Sequence, residues 1–190
     1  MKSILLASQS PRRKELIQLL PWSFEVCTKE VEENIDNQLP PEANVQALAH
    51  QKALAVAQHY TDRLVIGTDT IVCYEDKIMG KPKNEEDARK ILRVLSGNTH
   101  QVYTGVAIIC KDLDIDITFY EATQVTMQHL SSAEIEEYLG TNESYDKAGA
   151  YGIQGYGARY ISGIQGDYYN VVGLPVHALY KKLKSILEEK

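Results

Sequence analysis

The stretch "RLVIGTDTIVCYEDKIMGKP", residues 63–82, decides the fold of this chain. Its two apolar pieces, 64–66 and 71–72, predict strand, and their apolar side chains on both faces are typical of the middle of a sheet. Asp69 lies between them, although aspartate is depleted from strands and a buried carboxylate needs a partner. The pattern indicates either a satisfied aspartate in a bulge or turn beside Gly67 or a functional carboxylate.

Helical patterns surround this strand. Apolar spacing predicts a long helix from about Glu42 to Gln58, and "KNEEDARKILRVLSG" predicts a helix capped by Asn84 with Gly97 past its end. "SSAEIEEYL", residues 131–139, opens with a capping-box pattern, and a last helix is expected from about Pro175. Strands and helices mixed in this order predict an α/β domain.

Composition excludes several classes of protein. A chain of 190 residues, 44% hydrophobic and 24% charged, is expected to form one domain over residues 1–190. Its net charge of −6 argues against a nucleic-acid partner or an anionic membrane. We find no apolar run of membrane-spanning length and no signal-peptide pattern, so we expect a cytoplasmic protein. The cysteines and histidines lack metal-ligand spacing and are interpreted as reduced packing residues and ordinary histidines.

The stretch "LLASQSPRRKELIQLL", residues 5–20, breaks a local rule. Ser10 and Pro11 predict the start of a helix that continues towards Leu20, but its first turn holds three cations, at residues 12–14. Cations are disfavoured at the positive end of a helix. Together with Ser8, the turn is typical of an anion site, and the alternative is that the arginines only point into solvent.

Two lysines also stand out. Lys52 falls in the middle of the apolar stripe of the long predicted helix, so it either reaches solvent along its stem or meets an acid or a bound anion. Replacing it with Met is expected to leave the stability unchanged or raised, unless Lys52 pairs with an acid in the fold. Lys81, in "MGKP", places a cation on a stiff turn, where a lone lysine is ordinarily solvated.

An acidic, proline-punctuated loop follows the strand near Val26. It supplies three carboxylates, Glu30, Glu32 and Glu33. Cations for phosphates together with carboxylates for a metal or for water are typical of metal-assisted phosphate chemistry. No Walker A motif is present, and the glycines in "YGIQGYG", residues 151–157, do not fit GxGxxG and are equally typical of tight turns.

Eight short motifs, in order along essentially the whole chain, resemble the Maf family of nucleoside triphosphate pyrophosphatases. They are "LASQSPRRKEL", "VEEN", "HQKA", "GTDTIV", "GKP", "LSGNTHQVYTG", "YDKAGAYGIQG" and "GDYYNVVGLP". The resemblance is strongest to the subgroup that hydrolyses dTTP and UTP to the monophosphate and pyrophosphate. It implies a two-lobed single domain around a long mixed sheet with a central cleft, as in Maf and ITPase folds. It also implies a divalent cation, Mg²⁺ or Mn²⁺, and a tendency to form homodimers.

The resemblance also implies roles for individual residues. The proton acceptor of the family falls on Asp69, and its conserved polar site residues fall on Ser8, Arg12, Arg13, Glu33, Lys52 and Lys81. Positions tied to base choice fall on Arg12, Thr70 and Gln154. These positions include all four places where the sequence breaks local rules.

The resulting hypothesis is attack of water on the α-phosphorus with departure of pyrophosphate, as a housecleaning step of the nucleotide pool. Arg12 and Arg13 would hold phosphate oxygens, while Lys52 and Lys81 would neutralise the leaving group. Glu33 and Asp69 would bind the metal or orient the water, with Asp69 as base, ligand or both. The alternatives are the same reaction on a modified purine or 7-methylguanosine triphosphate, and a nucleotide-binding regulator of septum formation without turnover.

Overall fold

A computed structural model describes residues 3–188 and confirms the mixed α/β fold. Within that range the strands are β1 (Ile4–Leu6), β2 (Phe24–Val26), β3 (Leu64–Tyr74), β4 (Lys77–Met79), β5 (Thr99–Cys110), β6 (Ile115–Met127) and β7 (Ile161–Gln165). The α-helices are α1 (Pro11–Ile17), α2 (Pro41–Ala57), α3 (Glu85–Leu95), α4 (Ser132–Leu139), α5 (Tyr168–Val172) and α6 (Val176–Glu188). Residues 27–40, between β2 and α2, form an irregular segment that we call the acidic loop.

The strands of the described range form one mixed sheet in the order β2-β1-β3-β5-β6-β7, with β4 paired to β3. β1 runs parallel to both β2 and β3, whereas β4 runs antiparallel to β3 and β7 antiparallel to β6. β3 has a paired strand at each edge, and it is buried on both faces along most of its length, as its apolar residues predict.

The chain divides into two compact units, which we describe separately. The first comprises residues 3–69, 104–121 and 173–188. Its core packs α2 onto β1, β3 and β5 through mostly small side chains: Leu5, Ala7, Ala49, Ala53, Val56, Ala57, Val65, Ala107 and Ile109. Because alanines line the inner face of α2, the helix backbone can approach the sheet closely.

The second unit comprises residues 70–103 and 122–172, and its helix ends follow the sequence closely. The side chain of Asn84 accepts a hydrogen bond from the backbone N–H of Asp87 at 2.9 Å, and Ser131 and Glu134 form a reciprocal capping box. Gly97 adopts a φ of +74°, the left-handed conformation that ends many helices. These predicted caps are confirmed.

Two local predictions differ from the structure. β3 is one continuous strand of 11 residues, where the sequence indicated two pieces around Gly67. α1 ends at Ile17, so Leu19 is exposed while Leu16 and Leu20 remain buried. Backbone hydrogen bonding decides that β3 is continuous, and the turn after Ile17 decides where α1 ends. The pattern of apolar side chains predicts neither boundary.

None of the helices in residues 3–188 is both long enough and apolar enough to span a membrane.

A buried histidine in the second unit makes the stability depend on pH. His100 on β5 is 1% exposed, and its Nε2 lies 2.7 Å from the hydroxyl of Tyr151. Burial lowers the pKa of His100 to about 4, below its ordinary value of 6.5. The unfolded state therefore binds the extra proton first as the pH falls, so this stabilisation is complete above about pH 6.5 and is lost towards pH 4.

As the pH is lowered from 7 to 4, we expect protonation of His100 in the unfolded state to reduce the free energy of unfolding by about 3 kcal/mol. Urea unfolding of the wild type and of a His100→Phe variant across that range measures the difference in slope. Parallel pH profiles for the two proteins would contradict the assignment.

Candidate active site

A buried carboxylate lies in the middle of β3. Asp69 is 8% exposed and belongs to a single strand of 11 residues. A carboxylate in this position loses most of its hydration and needs a charged or hydrogen-bonding partner. That partner belongs to the first unit, as Asp69 itself does.

Lys52 on α2 supplies that partner. Its Nζ lies 2.5 Å from Oδ1 of Asp69 and 3.0 Å from Oε1 of Glu33. The side chains of Lys52 and Asp69 are 14% and 11% exposed, whereas that of Glu33 in the acidic loop is 51% exposed. The sequence allowed Lys52 to reach solvent, an acid or a bound anion. The structure shows that it contacts two acids.

Two glycines bring α2 close enough for this contact. A Cβ on Gly67 of β3 would lie 2.2 Å from the carbonyl oxygen of Ala49 and 2.6 Å from the backbone nitrogen of Ala53. A Cβ on Gly105 of β5 would lie 2.2 Å from the carbonyl oxygen of Val45. The helix backbone therefore rests directly on two strands. From the sequence, Gly67 was only the possible site of a bulge or turn beside Asp69, and its contact with α2 was not predicted.

Arg13 on α1 is held on the same unit by two oxygens. Its Nε donates to the carbonyl of Gly173 at 2.9 Å, and its Nη1 donates to the hydroxyl of Ser8 at 3.4 Å. The hydroxyl of Thr68 donates to the same carbonyl at 3.4 Å. Gly173 has a φ of +124°, which other residues rarely adopt, and sequence analysis did not single it out.

The electrostatics of Arg13 link it to the carboxylates. Burial lowers the pKa of its guanidinium, the neighbouring Asp69 raises it, Arg12 lowers it and Glu33 raises it. Arginine nevertheless stays charged at neutral pH. The first unit therefore gathers six of the predicted site residues in one cluster, which holds both carboxylates: Ser8, Arg12, Arg13, Glu33, Lys52 and Asp69.

The start of α1 differs in detail from the prediction. Ser10 occupies the N-cap position, but its side chain makes no capping hydrogen bond, and the helix has only seven residues. A helix this short has a small macrodipole, which lessens both the cost of its three cations and its attraction for an anion.

The other predicted site residues belong to the second unit. Thr70 follows Asp69 directly in β3 and is half-buried, while Lys81 is exposed in the turn after β4. Gln154 is exposed within the glycine-rich stretch.

A second carboxylate explains that glycine-rich stretch. The backbone N–H of Tyr156 donates to Oε2 of Glu143 at 2.7 Å. A Cβ on Gly152 or on Gly155 would lie 2.4 Å from an oxygen of the same carboxylate. The chain thus packs closely around the Glu143 carboxylate, which a larger side chain at either glycine would displace. The sequence did not predict this, because nothing local relates Glu143 to these glycines.

Comparison with known proteins shows the family. A family model described as Maf-like protein matches residues 3–186. The chain belongs to the Maf-like family. A curated dTTP/UTP pyrophosphatase of Bacillus cereus is 53% identical over 184 residues, covering 97% of this chain and 95% of the relative. Another, from a different strain of that species, is 54% identical and covers 97% and 90%.

A solved structure supports the fold of this Maf-like protein. The Staphylococcus aureus Ham1 protein superposes with a TM-score of 0.55 at 16% identity, covering 100% of both chains. At this identity the likeness shows a shared fold. It agrees with the ITPase-like fold that the sequence resemblance implies.

Proposed function

We propose that this Maf-like protein hydrolyses pyrimidine nucleoside triphosphates such as dTTP and UTP to the monophosphate and pyrophosphate. The observation that carries the proposal is the contact of Lys52 with both Asp69 and Glu33, beside Arg13. Relatives that share more than half of their residues with this chain are named dTTP/UTP pyrophosphatases. The net charge of −6 suits a free nucleotide held by a local cluster of cations better than a nucleic acid.

Asp69 is the general base of this proposal. Lys52 holds Oδ1, which fixes the carboxylate in the strand, and Oδ2 accepts a proton from the attacking water. The water oxygen forms a bond to the α-phosphorus while the bond from that phosphorus to the α,β-bridging oxygen breaks. The electron pair leaves with pyrophosphate.

The cations bind and neutralise the triphosphate. Arg12 and Arg13 hold phosphate oxygens through their forked donors, and Ser8 helps to orient Arg13. Lys52 and Lys81 neutralise charge as pyrophosphate departs. For base choice, Arg12, Thr70 and Gln154 are the residues we propose, on the strength of the family resemblance.

The acidic side chains of the first unit fit a divalent cation. Glu33 and Asp69 both reach the ammonium of Lys52, so their oxygens already face one position of positive charge. Mg²⁺ is commonly bound through one or two carboxylates together with substrate phosphates and water, and Glu33 and Asp69 supply two carboxylates. When bound by Glu33 and Asp69, Mg²⁺ or Mn²⁺ would neutralise phosphate charge.

Hydrolysis in ¹⁸O-labelled water tests which bond breaks. Attack at the α-phosphorus should place the label in UMP or dTMP and leave pyrophosphate unlabelled, as mass spectrometry of the products will show. A nucleoside diphosphate with orthophosphate as primary products would overturn the proposed bond. Tight nucleotide binding without any product would instead indicate a regulatory binding protein.

A further inference from the structure

The acidic loop that carries Glu33 has little structure of its own. Residues 27–36 contain no helix or strand, and most are exposed. Such a segment loses much conformational entropy when it is held in one place. Contacts from outside the loop must therefore keep Glu33 beside Lys52.

One end of the loop is held by a buried asparagine of α2. Asn44 is 2% exposed, and its Oδ1 accepts from the backbone N–H of Asp36 at 2.9 Å. Its Nδ2 donates to the carbonyls of Asp36 at 2.9 Å and Leu39 at 3.1 Å. These bonds fix the path of the loop just after Glu33.

The other contact comes from the residue next to Lys52. Nε2 of Gln51 donates to the carbonyl of Glu32 at 3.0 Å. Because a peptide unit is planar, holding the carbonyl of Glu32 also orients the backbone nitrogen and the Cα of Glu33. Two consecutive residues of α2 thus hold two consecutive residues of the loop, and Gln51 lies on the same helix face as Asn44, seven positions away.

We infer that Gln51, supported by Asn44, is a positioning residue that presents the Glu33 carboxylate to Lys52 and to the divalent cation of the reaction. The inference rests on the proposed function, since it assigns to Gln51 the placement of a proposed metal ligand. In this assignment Gln51 contacts neither the carboxylate oxygens of Glu33 and Asp69 nor the phosphates. Gln51 therefore affects metal binding only by placing Glu33.

The test is a Gln51→Met variant, which keeps the length of the side chain and removes the donor. The matched control is Gln46→Met on the same helix, because Nε2 of Gln46 donates to the carbonyl of Glu42 at 3.1 Å and makes no contact of this kind with the loop. We expect Gln51→Met to bind Mn²⁺ about 3- to 10-fold more weakly in an electron paramagnetic resonance titration, the scale of one lost hydrogen bond. The backbone amide of Asp36, which donates to Oδ1 of Asn44, should exchange faster with solvent, while the melting temperature stays near that of the wild type.

Activity supplies a separate measurement through a double-mutant cycle. Gln51→Met should lower kcat/KM for UTP by a similar factor in the wild type and cause no further loss in a Glu33→Gln background. A full effect in that background, unchanged Mn²⁺ binding, or an equal effect of Gln46→Met would overturn the inference. If the wild type turns over no nucleoside triphosphate, the proposed function fails, while the Mn²⁺ and exchange measurements still decide the role of Gln51.

Discussion

Replacing Asp69 with Asn is expected to lower kcat for UTP and dTTP by about 10² or more while the protein remains folded. Asparagine keeps the shape of the side chain, so it fits the same place in β3. It cannot accept the proton of the attacking water, and it is a poorer ligand for a divalent cation. The ammonium of Lys52 keeps Glu33 as a partner at 3.0 Å, which limits the structural effect.

Steady-state kinetics of the purified variant, with circular dichroism to verify folding, will measure this effect. Asp62→Asn is a suitable control, because Asp62 is exposed in the same unit and lies outside the proposed site. A kcat for Asp69→Asn close to that of the wild type would remove Asp69 from the chemistry.

Replacing Lys52 with Met should destabilise the fold by about 3 kcal/mol, the scale of breaking one partner out of a buried ion pair. Asp69 is 8% exposed and would lose the nearest cation that holds it. The sequence-based expectation of unchanged or higher stability was conditional on Lys52 having no acidic partner in the fold. Because Lys52 does pair with Asp69, the expected change in stability is a loss.

Urea unfolding of Lys52→Met at neutral pH measures the cost. In an Asp69→Asn background the same replacement should cost much less, because no buried charge is then left without a partner. Lys90→Met on α3 is the exposed control, since Lys90 lies 3.9 Å from Glu86 and both side chains are more than half exposed. Equal costs at Lys52 in both backgrounds would show that the pair with Asp69 is not what stabilises the fold.

Local signals predicted the second unit's helices well. Asn84, Ser131 and Gly97 act within one turn of the helix end that each one defines, so the sequence contains all the necessary information. β3 was harder, because its continuity depends on hydrogen bonds to neighbouring strands. The two indicated strand pieces are parts of one central strand.

The charged residues of the candidate site stand out in the sequence, whereas their contacts do not. Asp69 and Lys52 stand out because each places a charge where the local pattern predicts an apolar residue. Their pairing across 17 positions of chain depends on how α2 packs, which no local pattern contains. The carbonyl of Gly173 that receives Arg13 was missed for the same reason, since 160 positions separate them.

The contact of the α2 backbone with Gly67 and Gly105 limits which residues these two positions of the chain can hold. Neither glycine carries any chemistry, yet a single methyl group at either position would push the helix away and separate Lys52 from Asp69. Gly80 shows the contrast, because a methyl group there would meet no atom within 4 Å. A stabilised or redesigned enzyme can therefore accept larger residues at Gly80, while the packing of α2 that brings Lys52 to Asp69 requires glycine at positions 67 and 105.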